Sequence, residues 1–187
     1  NRPVPRQLRD LSARVVGRSV ELATIEAWFE AGERVLAITG TPGVGRSALA
    51  NQFATATLGW WQGAWTVDAA GAQSPEDLAE RVLRTVGLAE EVSADPAEVV
   101  GLLARLGRCL LVLDGVDRLR ADVWTWLRSW GSSGIRVLAV CEAPMGAHPG
   151  GLYAGDLPVD GYGEDYEFWV EARAASRNTL RRQCRKP

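Results

Sequence analysis

Gly40-Thr41-Pro42-Gly43-Val44-Gly45-Arg46-Ser47 is the stretch that decides the fold. It fits the phosphate-loop pattern G-x-x-x-x-G-K-[ST] at every fixed position except the lysine. Glycines at this spacing let successive backbone N–H groups turn inward around phosphate oxygens. The N-terminus of a following helix adds the positive end of its dipole. A glycine-rich turn alone carries little weight, but the flanks here agree with it. Residues 34–39 (RVLAIT) are a short apolar run of β-formers, and residues 47–58 read as a helix. Strand, loop and helix in that order place the nucleotide contacts on Gly40, Thr41, Pro42, Gly43, Val44, Gly45, Arg46, Ser47 and Ala48.

Arg46 stands where the pattern wants a compact ammonium at the β/γ-phosphates. A guanidinium is planar and bulkier, so the exchange is not conservative at a crowded phosphate, although bidentate pairing with phosphate oxygens stays open to it. Lys186 is the only lysine in the chain, a bias that suggests a GC-rich bacterial genome. A lysine essential for catalysis should survive such bias, so Arg46 reads as altered function. An inward Arg46, paired with Asp114 or Glu142, is expected to close the pocket.

Outward from the loop, strands and helices alternate. Residues 63–69 (GAWTVDA) form a second strand candidate. Ser74-Pro75-Glu76-Asp77 opens a helix through Leu78, Val82 and Val86, and Asp95-Pro96 repeats the signal ahead of Val99, Leu102, Leu103 and Leu106. Residues 109–113 (CLLVL) are a continuous apolar run ending in Asp114, as a buried parallel strand should. A helix bearing Val123, Trp126, Leu127 and Trp130 follows, then a fourth strand at 135–140 (IRVLAV), a short last strand near 157–159 and a final helix over 164–182. Toward the N-terminus a helix runs through Leu22, Ile25, Trp28 and Phe29 to Gly32. The sequence thus predicts an α/β fold of three layers, a P-loop NTPase fold with a parallel five-stranded sheet in the order 2-3-4-1-5. Residues 1–14, with Pro3 and Pro5, read as a linker or extended arm, 15–172 as the domain, and 173–187 as a basic tail or the start of a further segment.

A chain of 187 residues that is 47% hydrophobic can bury one real core. The formal net charge of −2 gives no reason to expect nucleic acid or an acidic membrane as the main partner. No apolar run approaches the roughly 18 residues that would span a bilayer. Cys109 and Cys141 adjoin apolar runs and read as buried free thiols, which fits a reducing cytoplasm. Starting at Asn1 and with Met145 as its one methionine, the chain is expected to be a piece of a longer protein.

The apolar strand ending in Asp114 has the Walker B form, with Asp114 and Ser47 as the Mg²⁺ ligands. Active enzymes of this class usually place a second acid next, where this chain has Gly115; Asp117 reads as a helix cap or as an acid reaching the site from a turn. Together these segments resemble the STAND signalling NTPases over residues 15–172. Val15-Val16-Gly17-Arg18-Ser19-Val20-Glu21-Leu22 is similar to that family's opening motif hhGRExEL. The likeness implies adenine contacts at Val16, Gly17 and Arg18, with ATP or ADP and Mg²⁺ as cofactors. The departures are Ser19 for the motif acid, Arg46 for the lysine, Gly115 for the second acid and Glu142 where relatives carry a phosphate-sensing arginine. They imply a degenerate module with weak or absent hydrolysis, working with a protein or peptide partner and fused effector domains in bacterial signalling or defence. An active switch ATPase and a purely structural interaction domain are the alternatives. Most of the tryptophans, which cluster at Trp60, Trp61 and Trp65 and at Trp124, Trp126 and Trp130, read as core packing; an exposed patch, with Trp124 as its candidate, would mark a partner surface.

Overall fold

A strand that is apolar along nearly its whole length must be covered on both faces, and three segments of this chain meet that description. They are β2 (Val35–Thr39), β4 (Cys109–Asp114) and β5 (Ile135–Val140), buried along almost their whole length. The computed structural model describes residues 6–8, 17–89, 94–118, 125–127, 130, 134–142 and 153–159. Within them, β1 (Arg6–Gln7), β3 (Gly63–Asp68) and β6 (Tyr153–Pro158) complete one sheet in the order β1-β3-β4-β5-β2-β6, and every pairing is parallel.

The period-2 alternation of these strands feeds two cores. Leu111, Leu113 and Val137 face α3 (Pro75–Val86) and α4 (Pro96–Leu106), packing with Leu78, Val82, Leu103, Trp126 and Trp130. Leu36, Ile38, Leu110, Val112 and Leu138 face α1 (Ser19–Glu30) and α2 (Arg46–Ala56), packing with Ile25, Phe29, Leu49 and Phe53. The result is helix, sheet, helix, the three layers expected. Helix starts follow their sequence signals: the Ser74 hydroxyl accepts from the Asp77 N–H at 3.2 Å, and the Asp95 carboxylate from the Ala97 N–H at 2.8 Å.

Several expectations need correction. The sheet has six strands and not five, because Arg6–Gln7, inside the segment read as a linker or arm, pairs with Ala64 and Trp65 on the otherwise open edge of β3. The last strand, β6, begins at Tyr153, earlier than the expected 157–159, and α2 starts at Arg46 and stops at Ala56, with a separate 3-10 turn at Leu58–Trp60. The helix over 164–182 and the tail 173–187 lie outside the described residues, as does Trp124. Core packing, the use expected for most of the tryptophans, holds for Trp61, Trp65, Trp126 and Trp130, which are buried, the last two in edge-to-face contact with centroids 4.8 Å apart.

Phe29 is 2% exposed and meets Phe53 and Trp61, so Phe29→Ala should cost about 3–5 kcal/mol in urea unfolding. Burial also pushes the Cys109 thiol up from 9.0 to about 11, against a smaller opposing hydrogen bond from the Gly63 backbone. The folded state therefore prefers the neutral thiol. This contribution is fully present below pH 9, and it is lost as pH rises through the folded value of about 11. Unfolding curves taken across that window should fall more steeply for the wild-type chain than for Cys109→Ala.

Candidate functional site

The loop between β2 and α2 leaves the sheet where β2 is flanked by β5 and β6, at the carboxyl end of the strands. In open α/β sheets ligands bind there. Its glycines are needed for two different reasons. At Gly40 the cause is closeness: a Cβ would stand 2.5 Å from the Val159 carbonyl oxygen. At Gly45, the N-cap of α2, it is conformation: φ is +96°, the left-handed region, which turns the chain into the helix. The loop base is tied to both neighbours. The Gly40 N–H donates to the Glu142 carbonyl at 3.4 Å, and the Val159 N–H donates to Thr39 O at 2.7 Å.

Ser47 and Asp114, predicted as a pair from separate motifs, meet directly: the Ser47 hydroxyl donates to Asp114 Oδ1 at 2.8 Å. Two residues that the sequence reading missed support this contact. Asn51 Nδ2 donates to the Ser47 carbonyl at 2.8 Å, and Thr66 Oγ1 donates to Asn51 Oδ1 at 2.5 Å. Asn51 is 1% exposed. Its position one helical turn after Ser47 was an available signal; nothing local marked Thr66 on β3.

Arg46 turns inward. Its side chain is 12% exposed, and Nη1 is buried with no hydrogen-bond partner among the described residues. Nη2 lies 4.0 Å from Glu142 Oε1, at the outer edge of an ion pair and beyond hydrogen-bond reach. Asp114, the other expected partner, takes the Ser47 hydroxyl. A desolvated guanidinium with an unmet donor costs about 1–3 kcal/mol or more, which an anion in the loop would offset.

Gly115 does more than omit an acid. Its φ is +83°, and a Cβ would lie 3.0 Å from the Ala70 Cβ, so the backbone itself disfavours a side chain there. Asp117, read as a helix cap or a site acid, instead accepts a hydrogen bond from the Glu142 N–H through Oδ1, linking the ends of β4 and β5. Arg18 is 8% exposed; its guanidinium donates to Glu21 Oε1 at 2.6 Å and to the Val44 carbonyl at 3.4 Å, joining α1 to the loop. Gly17 adopts φ +77°, and Val16 lies outside the described residues. Thr41, Pro42 and Gly43 are exposed on the loop; Val44 and Ala48 are half-buried. Among the described residues no three His, Cys, Asp or Glu side chains gather as a metal site, and no helix is long and apolar enough to cross a membrane.

Residues 30–142 match the family described as an AAA domain. The fold is similar to that of Cdc6p from Pyrobaculum aerophilum, with a TM-score of 0.52 and 16% identity over 72% of this chain and 41% of that one. A chain of Drosophila ORC bound to DNA is similar with a TM-score of 0.50 and 12% identity, over 75% of this chain and 88% of that one. The chain thus spans well under half of the Cdc6p structure. No curated protein sequence matches it.

Two substitutions test this geometry. Gly115→Glu, which places an acid after Asp114, should destabilise the fold by about 1–3 kcal/mol in urea unfolding, since it forces a side chain onto positive φ. Arg18→Ala should lower the thermal midpoint and raise hydrogen exchange at Val44 and its neighbours in the loop.

Proposed function

The chain belongs to the AAA domain family, and from that premise we propose that it is a STAND-type nucleotide-binding module of a bacterial signalling or defence protein, with weak or absent ATP hydrolysis. The observation that carries this reading is Arg46: a buried guanidinium at a phosphate loop, with Nη1 unmet, is a group prepared for an oxyanion.

The residues present fit a phosphate chain and a cation. Backbone N–H groups of Gly43, Gly45, Arg46 and Ser47 at the N-terminus of α2 would cradle the phosphates, with no room at Gly40 for any side chain. Ser47 and Asp114 offer two hard oxygens, the donor type Mg²⁺ prefers. Mg²⁺, when bound, neutralises phosphate charge. The Gly17 and Arg18 segment lies beside the loop through the Val44 contact and would serve the adenine side, together with Val16.

Weak hydrolysis follows from what surrounds the same pocket. Gly115 cannot polarise a water, and Asp117 is engaged with the Glu142 backbone. Losing one group of preorganised charge stabilisation typically costs on the order of 10²–10³ in rate. In this reading the module works in the cytoplasm and reports its state to a protein or peptide partner through fused effector segments, and it does not use nucleic acid.

Calorimetric titration with ADP and ATP, with and without Mg²⁺, should show binding that Arg46→Ala weakens about ten- to a hundredfold, the loss expected for a buried charge-assisted contact. Steady-state phosphate release should stay at background. A turnover of about 1 s⁻¹, ordinary for an enzyme and abolished by Asp114→Ala, would overturn the weak-hydrolysis reading in favour of an active switch.

A further inference from the structure

Glu142 is the least expected neighbour of a phosphate loop, and its placement is firm. Its carbonyl accepts from the N–H of Gly40, the first glycine of the loop, at 3.4 Å, and its own N–H donates to Asp117. The root of the side chain is therefore held from two sides at the mouth of the loop. From there the carboxylate reaches to 4.0 Å from Arg46 Nη2. The cation of the loop thus has one nitrogen facing a carboxylate and another, Nη1, that is buried and unmet.

We propose that Glu142 makes this a site for nucleoside diphosphates, its carboxylate standing beside Arg46 where the charge of a third phosphate would otherwise be received. The inference rests on the nucleotide-binding reading above. Its physical basis is a charge count. Arg46 contributes one positive charge, and Asp114 and Glu142 one negative charge each, before any cation binds. A diphosphate would be met by the donor left unmet at Nη1, by loop N–H groups and by one Mg²⁺. A third phosphate brings about one further negative charge into the space that Glu142 borders, and like charges a few ångströms apart disfavour each other. Glu142 is 57% exposed, so water screens part of the repulsion and the discrimination should be moderate. Swinging the carboxylate away relieves it only by giving up the approach to Arg46.

The test is calorimetry with Mg²⁺-ADP and Mg²⁺-ATP on the wild-type chain and on Glu142→Gln, which keeps shape and removes charge. The wild type should bind ADP about tenfold or more tightly than ATP, more so at low ionic strength. Glu142→Gln should bring the ratio toward unity, chiefly by improving ATP affinity while that for ADP barely moves. Equal affinities in the wild type, a preference for ATP, or a ratio indifferent to Glu142→Gln would each overturn the selectivity while leaving nucleotide binding standing. Binding of neither nucleotide would overturn the nucleotide reading and this one with it. As Glu142 is largely exposed, an unchanged thermal midpoint should confirm that the variant is folded.

Discussion

β2 is five residues long and buried at every one, so its backbone groups can be satisfied only by strands on both sides. β5 supplies one side and β6 the other, in parallel. This requirement sets where everything else goes. It fixes the exit of the phosphate loop between two strand ends, and it brings Glu142 and Val159, the residues that follow those strands, against Gly40. It also seats α2 over the sheet, so that Ser47 faces the end of β4. The site is a by-product of satisfying one strand.

Much of this was legible because motif and burial agree locally. The loop glycines, the apolar run ending in Asp114, and the caps at Ser74 and Asp95 each carry their signal within a few residues. The edge strand Arg6–Gln7 was not legible, since two polar residues have no period to read and gain strand geometry only by meeting β3. Nor was the support behind Ser47 fully visible: Thr66 contributes from another strand, and such contacts depend on packing between elements. Asp117 was misjudged because its partner is a backbone group 25 positions away in sequence.

The local departures form a consistent physical pattern. Arg46, planar and bulkier than a lysine, lies inward with one nitrogen unmet and another near Glu142. Gly115 takes a backbone shape that the neighbouring Ala70 reinforces, which removes any simple place for a water-activating acid. In the function proposed above, these are features for holding phosphate without those for attacking it.

The Ser47 hydroxyl has one hydrogen and two lone pairs, and the hydrogen is committed to Asp114. Asn51, held in turn by Thr66, takes the Ser47 carbonyl and so fixes the residue's rotation about the helix start. The oxygen therefore arrives oriented as an acceptor, with its electron density enriched by the carboxylate it donates to. A divalent cation can be received there without breaking the serine–aspartate bond and without a proton leaving. If the site takes Mg²⁺ as proposed, the first turn of α2 offers it a serine lone pair that is already turned away from the shared proton.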